Sequence, residues 1–293
     1  MARSKRGGMV AIVTLTVGLT VAAVGVAVVA GFLGRVHEAM GSVERFGSLD
    51  GYPSRPAEVA WTQGVPHDVI LLAEDASQAL VAGVVLHLSA TGDDLSLVVV
   101  SPDMRVPDSA APPTLANVFA VNPTRAAHSL EQLFGVRSEH QLVVRIDEVS
   151  QLAATFDGLA VDDLAPADRL QAHDVPAYLA GGDAGGDTAA TAERVGSLVR
   201  AVLQRITVRE AVLNPSGFDK AISQLIAASE VDEDFTEADL QSALMDMRFQ
   251  PTVAKPIVLG SDQQACDKGR EPDSVQLSEL RQALATDDFT GVG

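Results

Sequence analysis

The clearest pattern in the chain lies at its start. Residues 9–34 carry no charged side chain and consist mainly of Val, Ala, Leu and Gly. A helix rises about 1.5 Å per residue, so this stretch is long enough to cross a hydrocarbon core about 30 Å thick. The pattern predicts a membrane-spanning helix. Arg3, Lys5 and Arg6 stand in front of it. The excess of cations on cytoplasmic flanks then keeps residues 1–8 inside and sends the remainder to the outer side of the cytoplasmic membrane. The competing reading is a cleaved signal peptide ending near Ala30, but signal h-regions run about 7–15 residues, well short of this one.

Beyond the span, the pattern predicts a juxtamembrane segment over residues 35–66. The anchor helix continues through Phe46, and the Gly, Ser and Pro of residues 47–56 then break it. An extracytoplasmic domain occupies residues 67–293. It opens with three short apolar runs at 68–73, 81–88 and 95–100, typical of buried strands, with Thr91-Gly92-Asp93-Asp94 turning the second into the third as a hairpin. His87 lies inside the second run with Ser89 on the same face, and a lone histidine there reads as a packed residue rather than a ligand. Helices follow at 115–120 and 123–134, the latter ending at Gly135, a C-cap signal. A strand at 141–146, a helix at 147–156, the Asp157-Gly158 turn and a short strand at 159–161 come next. Residues 170–179 form a short element, and residues 181–187 a Gly-rich loop. The stripe Val195, Leu198, Val199, Val202 and Leu203 marks a helix over 188–204. Further helices are expected at 218–228, 238–247 and 277–285, with a strand over 253–259. Strands mixed with helices throughout imply an α/β domain, a mixed central sheet flanked by helices.

Charge narrows the function. The chain carries −18, and without the three tail cations the exported part stands at −21. That sign excludes nucleic acid as a partner and disfavours docking on anionic headgroups. The single cysteine, Cys266, forms no internal disulfide; it reads as a minor thiol or as a site for an intermolecular bridge. No Cys-His pair, His-x-x-x-His spacing or Gly-x-Ser-x-Gly elbow occurs. The Gly-rich stretch 181–187 lacks the Lys-Ser/Thr of a phosphate loop.

The order of motifs carries a resemblance. Val-Ile-Leu-Leu-Ala-Glu-Asp (69–75) is followed by a strand, a hairpin and Val-Val-Val-Ser-Pro-Asp-Met-Arg-Val-Pro (98–107). Then come Leu-Glu-Gln-Leu-Phe-Gly-Val (130–136), Leu-Val-Val-Arg-Ile-Asp (142–147) and Phe-Asp-Gly-Leu-Ala-Val (156–161). From about residue 68 to 288 this succession resembles a LytR-CpsA-Psr domain. The resemblance implies a membrane-anchored, extracytoplasmic protein with a mixed sheet between helices. It also implies transfer of glycopolymers from polyprenyl pyrophosphate to peptidoglycan, with a divalent metal such as Mg2+ at the pyrophosphate. Such a site needs cations to hold and stabilise a doubly phosphorylated head, and carboxylates to hold the metal.

This sequence departs from the pattern where the charge should be. The resemblance places acids at Asp75, Asp103 and Asp187, the first two as metal ligands and Asp103 also at the reacting centre. The next acidic position is Ala82. Positions for cations fall on Ser77, Pro102, Thr114, Ala180, Gly182, Ala190 and Glu193, and a glutamine position on Arg194. Arg105 beside Asp103, and Arg125 and Arg194 as ligand-binding groups, are the cations placed to substitute. Each also reads as an ordinary surface arginine. Losing one charge-assisted contact to a transition-state oxyanion costs about 3–4 kcal/mol, or a hundred- to a thousand-fold in rate. With several such positions vacant, the reading is a catalytically degenerate member that binds lipid or glycopolymer or assists other cell-wall assembly proteins, without a cofactor. The alternatives are an active phosphotransferase that uses Mg2+, and an unrelated exported binding domain.

Overall fold

The computed structural model describes residues 40–41, 43–57, 64–107, 113–165, 168–181, 187–206, 214–236, 238–239, 252–260 and 269–292. The expected span at 9–34, the Gly-rich residues 182–186, most of the expected helix at 238–247 and Cys266 lie outside these residues. Among the described residues, no helix is long and apolar enough to cross a membrane.

In chain order the elements are β1 (Glu44–Phe46), β2 (His67–Glu74), β3 (Leu80–Leu88), β4 (Asp94–Val100), α1 (Leu115–Val121), α2 (Pro123–Phe134), β5 (His140–Arg145), α3 (Ser150–Thr155), α4 (Val175–Ala180), α5 (Thr188–Arg205), α6 (Pro215–Ala227), β6 (Ser229–Asp232), β7 (Thr252–Val253), β8 (Ile257–Leu259) and α7 (Ser274–Thr286). The strands form one mixed sheet in the order β1-β6-β5-β2-β3-β4-β7, with β8 also paired to β4. β2 lies at its centre, antiparallel to β3 and parallel to β5.

The near-continuous apolar runs follow from this placement, because a central strand is covered on both faces. Leu71, Ala73, Val84, Leu97 and Val99 point into one layer with Leu152, Val195, Leu198 and Phe218, so α3, α5 and α6 cover that face. Ile70, Leu72, Val85, Val98 and Val100 point the other way, against Leu115, Leu130, Phe134 and Leu280 of α1, α2 and α7. The approach is close at Gly83, where a Cβ would lie 2.9 Å from Leu115 Cδ2 and 3.1 Å from Leu130 Cδ1. α2 shows the end signals of its sequence: Asn122 accepts from the Arg125 amide, Pro123 fills the first turn, and Gly135 closes it with φ 72°.

Four expectations are corrected. Residues 44–46 are a strand rather than the end of a helix. β1 runs parallel to β6, and the Arg45 guanidinium donates to the carbonyls of Asp232, Glu233 and Phe235. The partner is about 186 positions away in sequence, beyond any local signal. The expected strand at 253–259 is two strands. Pro256 has no N–H to give the ladder, so β7 pairs with Asp94 and Leu95 while β8 pairs with Val98 to Val100. The segment at 159–161 reduces to one bridge, Leu159 to Leu170, and the helix at 147–156 shortens to α3. β6 was not foreseen at all, since Ser-Glu-Val-Asp has no apolar run.

Leu130, fully buried between α2 and the sheet, reports on this packing. Leu130→Ala is expected to lower unfolding stability by about 2–5 kcal/mol, read by urea denaturation.

Candidate functional site

β2, β4, β5 and β8 all end at the same edge of the sheet, and the loops there carry the charged residues of the sequence motifs. After β4 the chain turns at Pro102 and Asp103, the Met104 amide donating to the Ser101 carbonyl at 3.0 Å. Met104 and Arg105 form bridges with Arg270 and Thr114 respectively. The Arg270 amide donates to the Asp103 carbonyl, and the Arg105 amide to the Arg270 carbonyl, both at 2.8 Å. This close passage requires a glycine one residue earlier: Gly269 has φ 94°, and a Cβ on it would lie 2.6 Å from the Asp103 carbonyl oxygen.

Arg270 is the centre of the site. Its side chain is 6 % exposed. Nε donates to Asp103 Oδ2 at 3.0 Å and Nη2 to Asp187 Oδ1 at 2.8 Å. The same Asp187 oxygen caps α5 by accepting from the Ala189 amide. Asp103 also accepts from the Ser101 hydroxyl. Partial burial by itself would raise the Asp103 pKa, but hydrogen bonds from Ser101, Thr188 and Arg270 outweigh it and hold the carboxyl below its ordinary value of 3.8.

The structure therefore joins Asp103 to Asp187 through a residue that motif reading missed. The only local signal for it was an arginine beside a glycine just ahead of the last helix. Arg105 is adjacent and pairs with Glu271. Arg194 lies two turns along α5 from Asp187, its guanidinium against Gly181. Arg125 belongs to α2, which covers the opposite face of the sheet from α5. Asp75 sits at the same edge as Asp103, but its Oδ1 accepts from the Ser77 amide at 2.8 Å, the Ser77 hydroxyl at 2.6 Å and the Ala79 amide at 3.1 Å. Slight burial is outweighed by these bonds, and the Asp75 pKa is lowered. Ser77, at a position where the resemblance called for arginine, is thus part of a turn that closes on Asp75.

A divalent ion needs carboxylate oxygens open to it. Asp75 turns an oxygen into its own loop, both Asp103 oxygens accept protein donors, and the third acidic position is the buried Ala82. Among the described residues, no group of three or more His, Cys, Asp or Glu side chains is placed to hold a metal.

No family model and no curated protein matches the sequence. Solved structures do. TagT of B. subtilis superposes with a TM-score of 0.61 at 11% identity, over 84% of this chain and 99% of that one. A LytR-Csp2A-Psr enzyme from Actinomyces oris gives 0.58 at 15% identity, over 83% and 95%. TagT bound to LIIa-WTA gives 0.64 at 12% identity, over 83% and 99%. The chain has the LytR-CpsA-Psr fold. The resemblance drawn from the motif order is thereby borne out at the level of architecture: a mixed sheet between helical layers.

Within this LytR-CpsA-Psr fold, Arg270 neutralises two acids that would otherwise face each other. Arg270→Ala is expected to cost about 2–3 kcal/mol, between the limits for exposed and buried pairs because Asp187 is largely exposed; chemical denaturation measures it. Asp103, lowered in the folded state, stabilises the fold above its ordinary value of 3.8. That contribution is lost as pH falls through the folded value. Acid titration of unfolding should therefore show a shallower loss below pH 3.8 in Asp103→Asn than in the wild type.

Proposed function

We propose that this protein is a membrane-anchored, extracytoplasmic component of cell-envelope assembly that binds a lipid-linked glycopolymer without transferring it. The observation that carries the reading is the Asp103–Arg270–Asp187 arrangement. The buried cation of the edge is engaged by two carboxylates of the same chain, and Arg105 is engaged by Glu271. Transfer from a polyprenyl pyrophosphate requires cations aimed at the leaving phosphate, each worth about 3–4 kcal/mol in the transition state. Here those cations are engaged by protein carboxylates, on a domain whose net charge repels phosphate. The ligand class follows by likeness of fold to TagT, solved in complexes with LIIa-WTA and LI-WTA. The anchor follows from the uncharged residues 9–34 behind Arg3, Lys5 and Arg6.

An active phosphotransferase is the second reading, favoured by the convergence of Asp103, Asp187, Arg105 and Arg270 at one sheet edge. The two readings separate in one assay. The full chain in detergent is incubated with polyprenyl pyrophosphate, Mg2+ and a peptidoglycan acceptor. The proposal expects phosphate release no faster than in Asp103→Ala. Turnover by the wild type that drops a hundred-fold or more in Asp103→Ala would establish the enzyme instead.

A further inference from the structure

Away from this edge, one buried titratable group holds two distant parts of the chain together. His87, on β3, is 1 % exposed and faces the layer that contains α7. Its Nδ1 lies 2.9 Å from Asp68 Oδ1, on the residue directly opposite it in β2. Its Nε2 lies 3.0 Å from Asp287 Oδ1. Asp287 ends α7 in the left-handed conformation, φ 54°, and its second oxygen accepts from the Ala90 amide at 2.9 Å. The Phe289 ring packs 5.2 Å from the imidazole.

A neutral imidazole has one N–H and one lone pair, whereas the imidazolium has two N–H donors. Flanked by carboxylate oxygens at both nitrogens, a neutral His87 satisfies one and turns a lone pair toward the other. Only the protonated ring donates to both. The charges nearby act in the same sense. On the β2 side, Glu139 accepts from the Asp68 amide and adds negative charge, with His67 beside it; on the α7 side, Asp288 follows Asp287.

We propose that His87 is a proton-operated latch that fastens the C-terminal tail, residues 287–292, to β2 and β3, and lets it go on losing its proton. The body of α7 has separate anchors: Leu277, Leu280 and Leu284 in the core, and Arg281 Nε on the Leu133 carbonyl. Release is therefore local to the end of the helix. Leu284 and Ala285 there, together with Asp68, Glu139 and His140, line a cleft of about 450 Å3 beside the latch.

The direction of titration agrees. Burial alone would lower the His87 pKa, but the hydrogen bonds and charges of Asp68 and Asp287 outweigh it, and the net shift is upward. Asp68 is also raised, chiefly by burial. A raised folded value means that stability from His87 is full below its ordinary 6.5 and is lost as pH rises through the folded value. Asp68 has the same sign in a lower window that opens at 3.8.

Hydrogen–deuterium exchange of the full chain at pH 6 and pH 9, corrected for intrinsic exchange, tests the latch. Protection of peptides covering residues 285–292 should fall at least ten-fold at the higher pH while β2 to β5 keep theirs. Asp287→Asn, a change at the partly exposed end of the contact, should leave the tail weakly protected at both pH values. Equal tail protection in the wild type at both pH values, or an unchanged pH dependence in Asp287→Asn, overturns the proposal. Nitrogen-15 spectra give a second reading: His87 should carry protons on both ring nitrogens at pH 6, below its ordinary value of 6.5, and a single tautomeric proton there overturns it as well.

Discussion

The constraint on which the rest depends is the burial of the central strands on both faces. Ile70 and Leu72 face one helical layer while Leu71 and Ala73 face the other, so a charge in the middle of β2 or β4 would be stranded in apolar surroundings at a cost of several kcal/mol. Charged chemistry is thereby driven to the strand ends and the loops beyond them. Asp75, Asp103, Asp187 and Arg270 collect at one edge for this reason, and Asp68, Glu139, His140 and Asp232 at the other. His87, inside β3, keeps a polar ring in the interior only because a carboxylate meets each nitrogen.

At the first edge, the domain resolves its excess of acid internally. Asp75 is wrapped by Ser77 and Ala79, Asp103 and Asp187 share Arg270, and Arg105 meets Glu271. A site that binds a pyrophosphate strongly keeps its cations oriented toward the ligand, because preorganised charge is what stabilises the developing oxyanion. Here the guanidinium of Arg270 meets Asp103 and Asp187, and that of Arg105 meets Glu271. The same economy of charge recurs where Arg55 forms a two-pronged contact with the fully buried Glu131 and so ties the segment ahead of β2 to α2. That segment was expected to be a linker. It is instead built into the domain by a buried ion pair and by β1.

Local signals carried the sequence reading where local physics decides. The apolar runs of β2, β3, β4 and β5, the stripe of α5, the Asn-Pro start and Gly end of α2, and the Asp157-Gly158 turn with both residues at positive φ were all legible. The structure brings Asp103 and Asp187 together on Arg270. Arg270 was not legible, because its position follows from a passage beside Asp103 that depends on Gly269, 166 positions further along the chain.

By itself, then, the sequence determined the alternation of buried strands and amphipathic helices, the order of the family-like motifs and the strongly acidic balance. Each of these is a property of residue type and short-range spacing. Only the tertiary structure decided that β1 and β6 are strands, that Arg270 stands between two aspartates, that Arg125 lies on the other side of the sheet, and that His87 meets Asp287. These are pairings between segments tens to about two hundred residues apart, and they are fixed by the register of a closed, two-sided core that no short window of sequence contains.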